Sequence, residues 1–317
     1  MARDLSSQVL KGDHRAVAKA ISIVEAGGEP SRKLIQELYP HTGRAFTIGV
    51  TGPTGTGKST LVDKIIEEYR KRERSVGVLA IDPSSAFTGG ALLGDRVRMM
   101  DHSLETKVYI RSMASRGDLG GLARAARNTI RVLDAAGMDI IIVETVGAGQ
   151  TEVQIATTVD ATVVVLMPQL GDEIQAFKAG FAEIGDLFVI NKADLVNPAK
   201  TIYNIASGLQ ARDGWRPPVL KTVAVKGTGV PSVVDAVEKF EKHLEAKGLR
   251  EKRLRKRIES ELVDAAFSDF YHQSINCLRD QKELDVLVGR VVNRELDPET
   301  AASKLVGVIA KIGEKLD

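Results

Sequence analysis

The sequence predicts an α/β fold with a mostly parallel sheet and a phosphate-binding turn after its first strand. Three observations carry this. Phe46-Thr47-Ile48-Gly49-Val50 is apolar and β-prone, Gly52-Pro53-Thr54-Gly55-Thr56-Gly57-Lys58-Ser59 is glycine-rich, and Thr60 to Ile66 has helical spacing. Strand, turn and helix in that order give the glycine-rich segment the setting that a G-x-x-x-x-G-K-[ST] phosphate loop needs. Near-continuous runs such as Asp139-Ile140-Ile141-Ile142-Val143 suit strands covered on both faces.

Element by element, residues 4–40 read as helical, broken at Gly27-Gly28 and Pro30. Candidate strands follow at 46–50, 76–81, 107–111, 138–144, 162–167, 186–190 and 219–224, with helical stretches between most of them. From Pro231 onward the pattern is helical over 231–246, 248–280, 282–293 and 298–316. Asp297-Pro298 supplies a cap and a first-turn proline to the last of these, and Leu305, Ile309, Ile312 and Leu316 form one stripe on it. The implied organisation is an N-terminal helical segment over 1–42, a nucleotide-binding domain over 43–230 and a C-terminal helical arm over 231–317.

Composition narrows the classes. The 317 residues are 43% apolar and 27% charged, ordinary for a globular chain, and the net charge of +2 gives no reason to expect a nucleic-acid partner. The single cysteine, Cys277, excludes an internal disulfide framework and fits a reducing compartment. No apolar run approaches the roughly 20 residues of a membrane span. The N-terminus lacks an apolar h-region and carries Asp4 and Asp13, so a cytoplasmic location is expected; a mitochondrial matrix location would require a transit peptide. Residues 250–257 hold six Lys or Arg in eight positions. They read as a solvated helix face with Leu254 and Ile258 turned inward, or alternatively as a patch for an acidic partner.

The phosphate loop sets the chemistry. Its glycines let backbone N–H groups turn toward phosphate oxygens, and the helix N-terminus adds a positive field. Lys58 should bridge the β- and γ-phosphates and the Ser59 hydroxyl should ligate Mg²⁺, with Gly52, Gly55, Thr56, Gly57 and Thr60 completing the phosphate contacts. Asn191-Lys192-Ala193-Asp194 follows the apolar strand 187–190 and fits N-K-x-D, the guanine-reading motif of GTPases. A carboxylate at Asp194 can accept from guanine N1–H and the N2 amine, which adenine does not offer there. Asn191 should tie the base loop to the phosphate loop, the Lys192 stem can cover one face of the base, and the Ala224 amide is expected at guanine O6. Magnesium needs carboxylates as well as Ser59. Asp82 and Glu144 each end a strand and Asp95 lies in a Gly-rich stretch. Glu144 opens E-x-x-G where Ras-like GTPases have D-x-x-G, and Gly147 could still offer its amide to the γ-phosphate. Gln150 is a candidate for positioning the hydrolytic water.

Beyond the phosphate loop, D-P-S-S-x-F-T-G-G, L-G-D-R-x-R-M, S-R-G-x-L-G-G, E-T-V-G-x-G-Q, G-D-E-I-Q and N-K-A-D occur in that order. The chain thereby resembles the MeaB/ArgK family, which includes the human methylmalonic aciduria type A protein. The resemblance implies a SIMIBI-class P-loop GTPase that uses GTP, GDP and Mg²⁺. It also implies a homodimer, joined through its C-terminal helices, that acts as a G-protein chaperone of an adenosylcobalamin-dependent acyl-CoA mutase. Under it, Ser59, Asp82, Asp95 and Glu144 fall on the magnesium positions, and Lys178 on a loop that answers to the mutase and contributes to catalysis. The family's usual phosphate loop has proline where this chain has Thr54; here Pro53 stands one place earlier. Two other readings stay open. A nickel-insertion GTPase would carry His- or Cys-rich tracts, whereas the histidines here are scattered at 14, 41, 102, 243 and 272. A P-loop kinase would need an acceptor site beside the γ-phosphate.

Overall fold

The structure, a computed structural model, describes residues 2–82, 102, 105–114, 119–145, 156–168, 180–280 and 283–313. The chain opens with three helices, α1 (Ala2–Leu10), α2 (His14–Ala26) and α3 (Gly28–Leu38). The alternating core follows: β1 (Phe46–Thr51), α4 (Lys58–Lys71), β2 (Val76–Asp82), β3 (Val108–Ala114), α5 (Leu119–Ala135), β4 (Ile140–Thr145), β5 (Ala161–Leu166), β6 (Leu187–Ile190), α6 (Ala199–Gly208) and β7 (Val219–Lys221). Then come α7 (Val230–Ala246), α8 (Leu249–Asp280), α9 (Glu283–Val292) and α10 (Pro298–Gly313).

The seven strands form one sheet in the order β3-β2-β4-β1-β5-β6-β7, every pairing parallel. Parallel neighbours need crossovers, so helices cover both faces. On one face Ile48, Val50, Val163 and Val165 pack with Leu61, Ile65 and Tyr69 of α4 and with Val233, Val237 and Phe240 of α7. On the other, Leu79, Ile141 and Val143 pack with Val132 and Leu133 of α5 and with Val17, Ile21, Leu34 and Leu38 of the N-terminal helices. The alternation of in-and-out side chains along each strand is what divides these two sets. β1, β4, β5 and β6 are buried at every position, as their Val/Ile runs require.

Four details differ from the sequence expectation. The helical stretch 4–40 also breaks at Lys11-Gly12-Asp13, where Gly12 takes φ +73° and the Asp13 side chain caps α2 by accepting from Ala16 N–H. Pro30 breaks nothing, because it lies in the first turn of α3 where its missing N–H has no helical partner. The last strand stops at Lys221 rather than 224, since Val223 leaves to bridge Thr228 and Ala224 begins a 3-10 turn. Leu254 is not turned inward; it is 43% exposed. Its basic neighbours take the inner positions. Arg253 donates to both carboxylate oxygens of buried Asp186 and lies over the Phe240 ring, and Arg250 donates to the Ala45 carbonyl and lies over Phe46. Two of the six cations of the basic run are thus spent on packing rather than on an acidic partner.

The chain divides into two compact units, Met1–Leu254 and Arg255–Asp317, and α7 buries Val230, Val233, Val234, Val237 and Phe240 in the first unit's core. In the second unit α9 and α10 pack on each other, while Leu262, Val263, Phe267, Phe270 and Tyr271 on α8 are exposed. No helix among the described residues is long and apolar enough to cross a membrane.

Candidate nucleotide site

The site forms at the C-terminal edge of the sheet around β1, where crossovers leave to both sides and α/β folds collect ligands. Gly52 turns the chain out of β1 at φ +139°, and a Cβ there would sit 2.1 Å from the Val165 carbonyl oxygen, so only glycine fits. Gly57, at φ +87°, is the N-cap of α4 and brings the helix's first amides to the loop. Lys58 is 7% exposed, and its Nζ donates to the carbonyls of Gly52 (2.7 Å) and Pro53 (3.0 Å). The ammonium is therefore curled over the loop, where phosphate oxygens can compete for its N–H groups. Thr56 has no exposed surface and its hydroxyl donates to the Pro53 carbonyl, so its side chain braces the loop.

Ser59 Oγ donates to Glu144 Oε1 at 2.6 Å. Register explains the meeting: Glu144 pairs with Val50 of β1 on one side and Ala80 of β2 on the other, at the same sheet edge. Glu144 is 2% exposed. A hydroxyl and a carboxylate are hard oxygen donors, the set that Mg²⁺ takes. Asp82 ends β2 one residue beyond the pair Ile81 and Thr145, at that edge, but its side chain lies outside the described residues. Asp95, Gly147, Gln150 and Lys178 lie outside them entirely. Gly55 takes φ +83° in the loop, and Thr60 lines the cleft described next.

Asn191 is the junction of the site. Its Nδ2 donates to the Thr56 carbonyl in the phosphate loop at 2.9 Å. Its Oδ1 accepts from Thr222 Oγ1 and from the Ala224 amide, both at 3.0 Å. One buried side chain thus joins the phosphate loop, the strand end after β6 and the turn after β7. The Ala224 amide, expected at guanine O6, is directed to Asn191 Oδ1 instead, because the tight turn after Thr222 points it inward. A cleft of about 240 Å³ opens beside this junction, lined by Gly57, Thr60, Lys192, Asp194, Val223 and Ala224 among others. Lys192 adopts φ +56°, which turns the loop so that Asp194 faces the cleft. Asp194 Oδ2 accepts from Lys226 Nζ at 3.2 Å, a half-exposed pair of small energetic weight. Leu195 and Val225, 71% and 72% exposed, flank the cleft as apolar surfaces suited to a flat base. Sequence reading placed the Thr222-Val223-Ala224 loop at the base site but missed Leu195 and Val225 as its flanking surfaces. Only the N-K-x-D-Leu and Thr-x-Ala-Val contexts could have pointed to them.

A phosphate loop and a base-reading loop joined through one asparagine, on a parallel sheet with these crossovers, define a P-loop nucleoside triphosphatase. The family described as "Methylmalonyl Co-A mutase-associated GTPase MeaB" matches residues 17–277, and the chain belongs to it. A Pyrococcus abyssi protein bearing a provisional GTPase name is 46% identical over 312 residues, 96% of each chain. The methylmalonic aciduria type A homolog of Mus musculus is 36% identical over 265 residues, covering 77% of this chain and 64% of that one. Among solved structures, one titled "Crystal structure of LAO/AO transport system kinase" is similar over 98% of this chain and 97% of its own, with a TM-score of 0.72 and 25% identity.

Proposed function

We propose that the protein hydrolyses GTP and uses the cycle to gate an adenosylcobalamin-dependent acyl-CoA mutase as its G-protein chaperone. The observation that carries this reading is the Asn191 junction, which makes base and phosphate recognition one connected structure, in a chain of the MeaB family. Lys58 holds the transferring phosphate's charge, and α4 offers its amides. Asn191 sets the distance between the two loops, and Asp194 accepts from the base. Ser59, Glu144, Asp82 and Asp95 would hold Mg²⁺, whose contribution is to neutralise charge on the phosphoryl oxygens. Gln150 and Lys178 are proposed to act in hydrolysis, Lys178 in a segment that answers to the partner.

A P-loop and metal site without a complete transition-state clamp is slow by itself, and a partner that orders or supplies the missing group adds orders of magnitude. GTP turnover is therefore expected to be slow for the protein alone and at least tenfold faster with a cognate mutase, an acceleration diminished in Lys178→Ala. Equal rates with and without a mutase shown to bind would defeat the switch reading. Release of inorganic phosphate equal to the GTP consumed separates hydrolysis from transfer to another acceptor, the outcome a kinase would give.

The second unit is proposed to make the homodimer. The expected stripe of α10 is described only in part: Leu305 is half-buried, the side chains of Ile309 and Ile312 and all of Leu316 lie outside the described residues. On α8, however, Val263, Phe267, Phe270 and Tyr271 recur at helical spacing and are 49–70% exposed. A second copy is the commonest cover for such a face. Truncation after Glu295 is expected to yield monomers in sedimentation velocity, and a full-length protein that is monomeric at micromolar concentration would end the idea.

A further inference from the structure

Away from the nucleotide cleft, Asp63 and Glu67 of α4 meet His102, and one ligand atom from each lies within 4.8 Å of the other two. Asp63, at i+4 from Ser59, and Glu67, at i+8, continue the Ser59 face of the helix. His102 is 5% exposed. Its Nδ1 makes a 2.7 Å hydrogen bond with Glu105 Oε1, and Glu105 in turn accepts from Arg70 at 3.2 Å. With Nδ1 engaged by Glu105, Nε2 is the ring nitrogen that faces Asp63. Nε2 and Asp63 Oδ1 are both buried, both lack a hydrogen-bond partner, and stand 3.4 Å apart, within ion-pair reach if the imidazole carries a second proton but beyond a good hydrogen bond.

Two buried polar atoms face to face with no hydrogen-bond partner are costly unless a proton or a cation joins them. The spacing says what. Two ligands at about 2.1 Å from a tetrahedral zinc-like ion stand roughly 3.4 Å apart. The Glu105-His102 pair has the form of the carboxylate-histidine support that orients a metal-binding imidazole. We infer that Asp63, Glu67 and His102 form a binding site for a borderline divalent cation of the Zn²⁺ or Co²⁺ class, distinct from the all-oxygen magnesium site at Ser59 and Glu144. A nitrogen donor with two carboxylates suits such an ion better than Mg²⁺ or Ca²⁺. The Lys64 ammonium is its competitor, since it contacts Glu67 Oε1 and lies 3.4 Å from Asp63 Oδ2. Glu67 is 36% exposed at its side chain and can rotate off Lys64 toward the ion. The bound ion would fasten the residues just before β3 to the helix whose first turn holds the phosphate.

The test is Co²⁺ titration of the chelator-stripped full chain with Mg²⁺ and GDP in excess, which keeps the nucleotide site filled. One equivalent of Co²⁺ is expected, with visible absorption bands of low-symmetry coordination, and competition by Zn²⁺. Binding should fall at least tenfold in His102→Ala and in Asp63→Asn, and tighten several-fold in Lys64→Met, which removes the competing cation and no ligand atom. Circular dichroism establishes that each variant is folded. Uptake that is unchanged in His102→Ala and Asp63→Asn overturns the site, as does no stoichiometric uptake by wild type and Lys64→Met at tens of micromolar cation. Should His102→Ala not fold, unaltered affinity in Lys64→Met overturns it equally.

Discussion

Asp194→Asn is expected to move the protein's preference from GTP toward xanthosine triphosphate. Asp194 faces the cleft beside Lys192, with Lys226 as an ionic neighbour at 3.2 Å. A carboxylate there accepts two hydrogen bonds from guanine, at N1 and at the N2 amine. An amide can accept one and must oppose its own N–H₂ to the other. Hydrogen bonds to a charged group contribute about 1.5–3 kcal/mol each, so the mutant should lose roughly 3 kcal/mol toward GTP, or about a hundredfold in affinity. Xanthine carries a carbonyl at C2, which repels the carboxylate and accepts from the amide, so its binding should improve. The lost pair with Lys226 matters little, because exposed ion pairs contribute less than about 1 kcal/mol. Calorimetry with both nucleotides checks the swap; full retention of GTP preference would mean the base is read elsewhere.

Glu144→Gln is expected to lower GTP turnover on the order of 10²-fold, the scale of losing one preorganised electrostatic contact, with GDP affinity changed much less. Glutamine can still accept from Ser59 Oγ, so the 2.6 Å bond and the end of β4 should survive. What disappears is the charge. Because Glu144 is 2% exposed, that charge is poorly screened by water and would bear strongly on a bound cation. Single-turnover measurements across a Mg²⁺ titration separate the two effects: the mutant should need more Mg²⁺ and still fall short at saturation. Turnover and Mg²⁺ dependence equal to wild type would move the metal site away from Glu144.

The sheet was legible because its signal is local. Runs such as Ile140 to Val143 and Val163 to Leu166 are apolar at every position, as strands covered on both faces need. The two nucleotide loops were legible for a related reason: each requires particular residue types at fixed offsets after a strand. The rest depends on contacts between distant segments. The destination of the Ala224 amide depends on Asn191, 33 residues away. The exposure of Leu254 depends on Arg250 and Arg253 winning the inner face through the Phe46 and Phe240 rings. The extent of the first unit depends on α7 completing a core begun by β1 and α4. The Asp63-Glu67-His102 cluster joins a helix to a lone histidine 35 residues beyond Glu67, a separation that no ligand-spacing pattern covers.

The three N-terminal helices have a consequence for anyone building chimeras from this chain. Val17, Ile21, Val24, Leu34 and Leu38 are at most 3% exposed, and together they cover one side of α5 and the sheet. Each such side chain contributes about 1.5–3 kcal/mol by leaving water, so five of them amount to roughly 10 kcal/mol. That equals the whole stability of a typical domain. Residues 43–45 are moreover fastened to Asp134 through three backbone amides. A catalytic module excised at the phosphate-loop strand would thus be missing its own foundation. Grafting it onto another scaffold would require transplanting the leading helices with it.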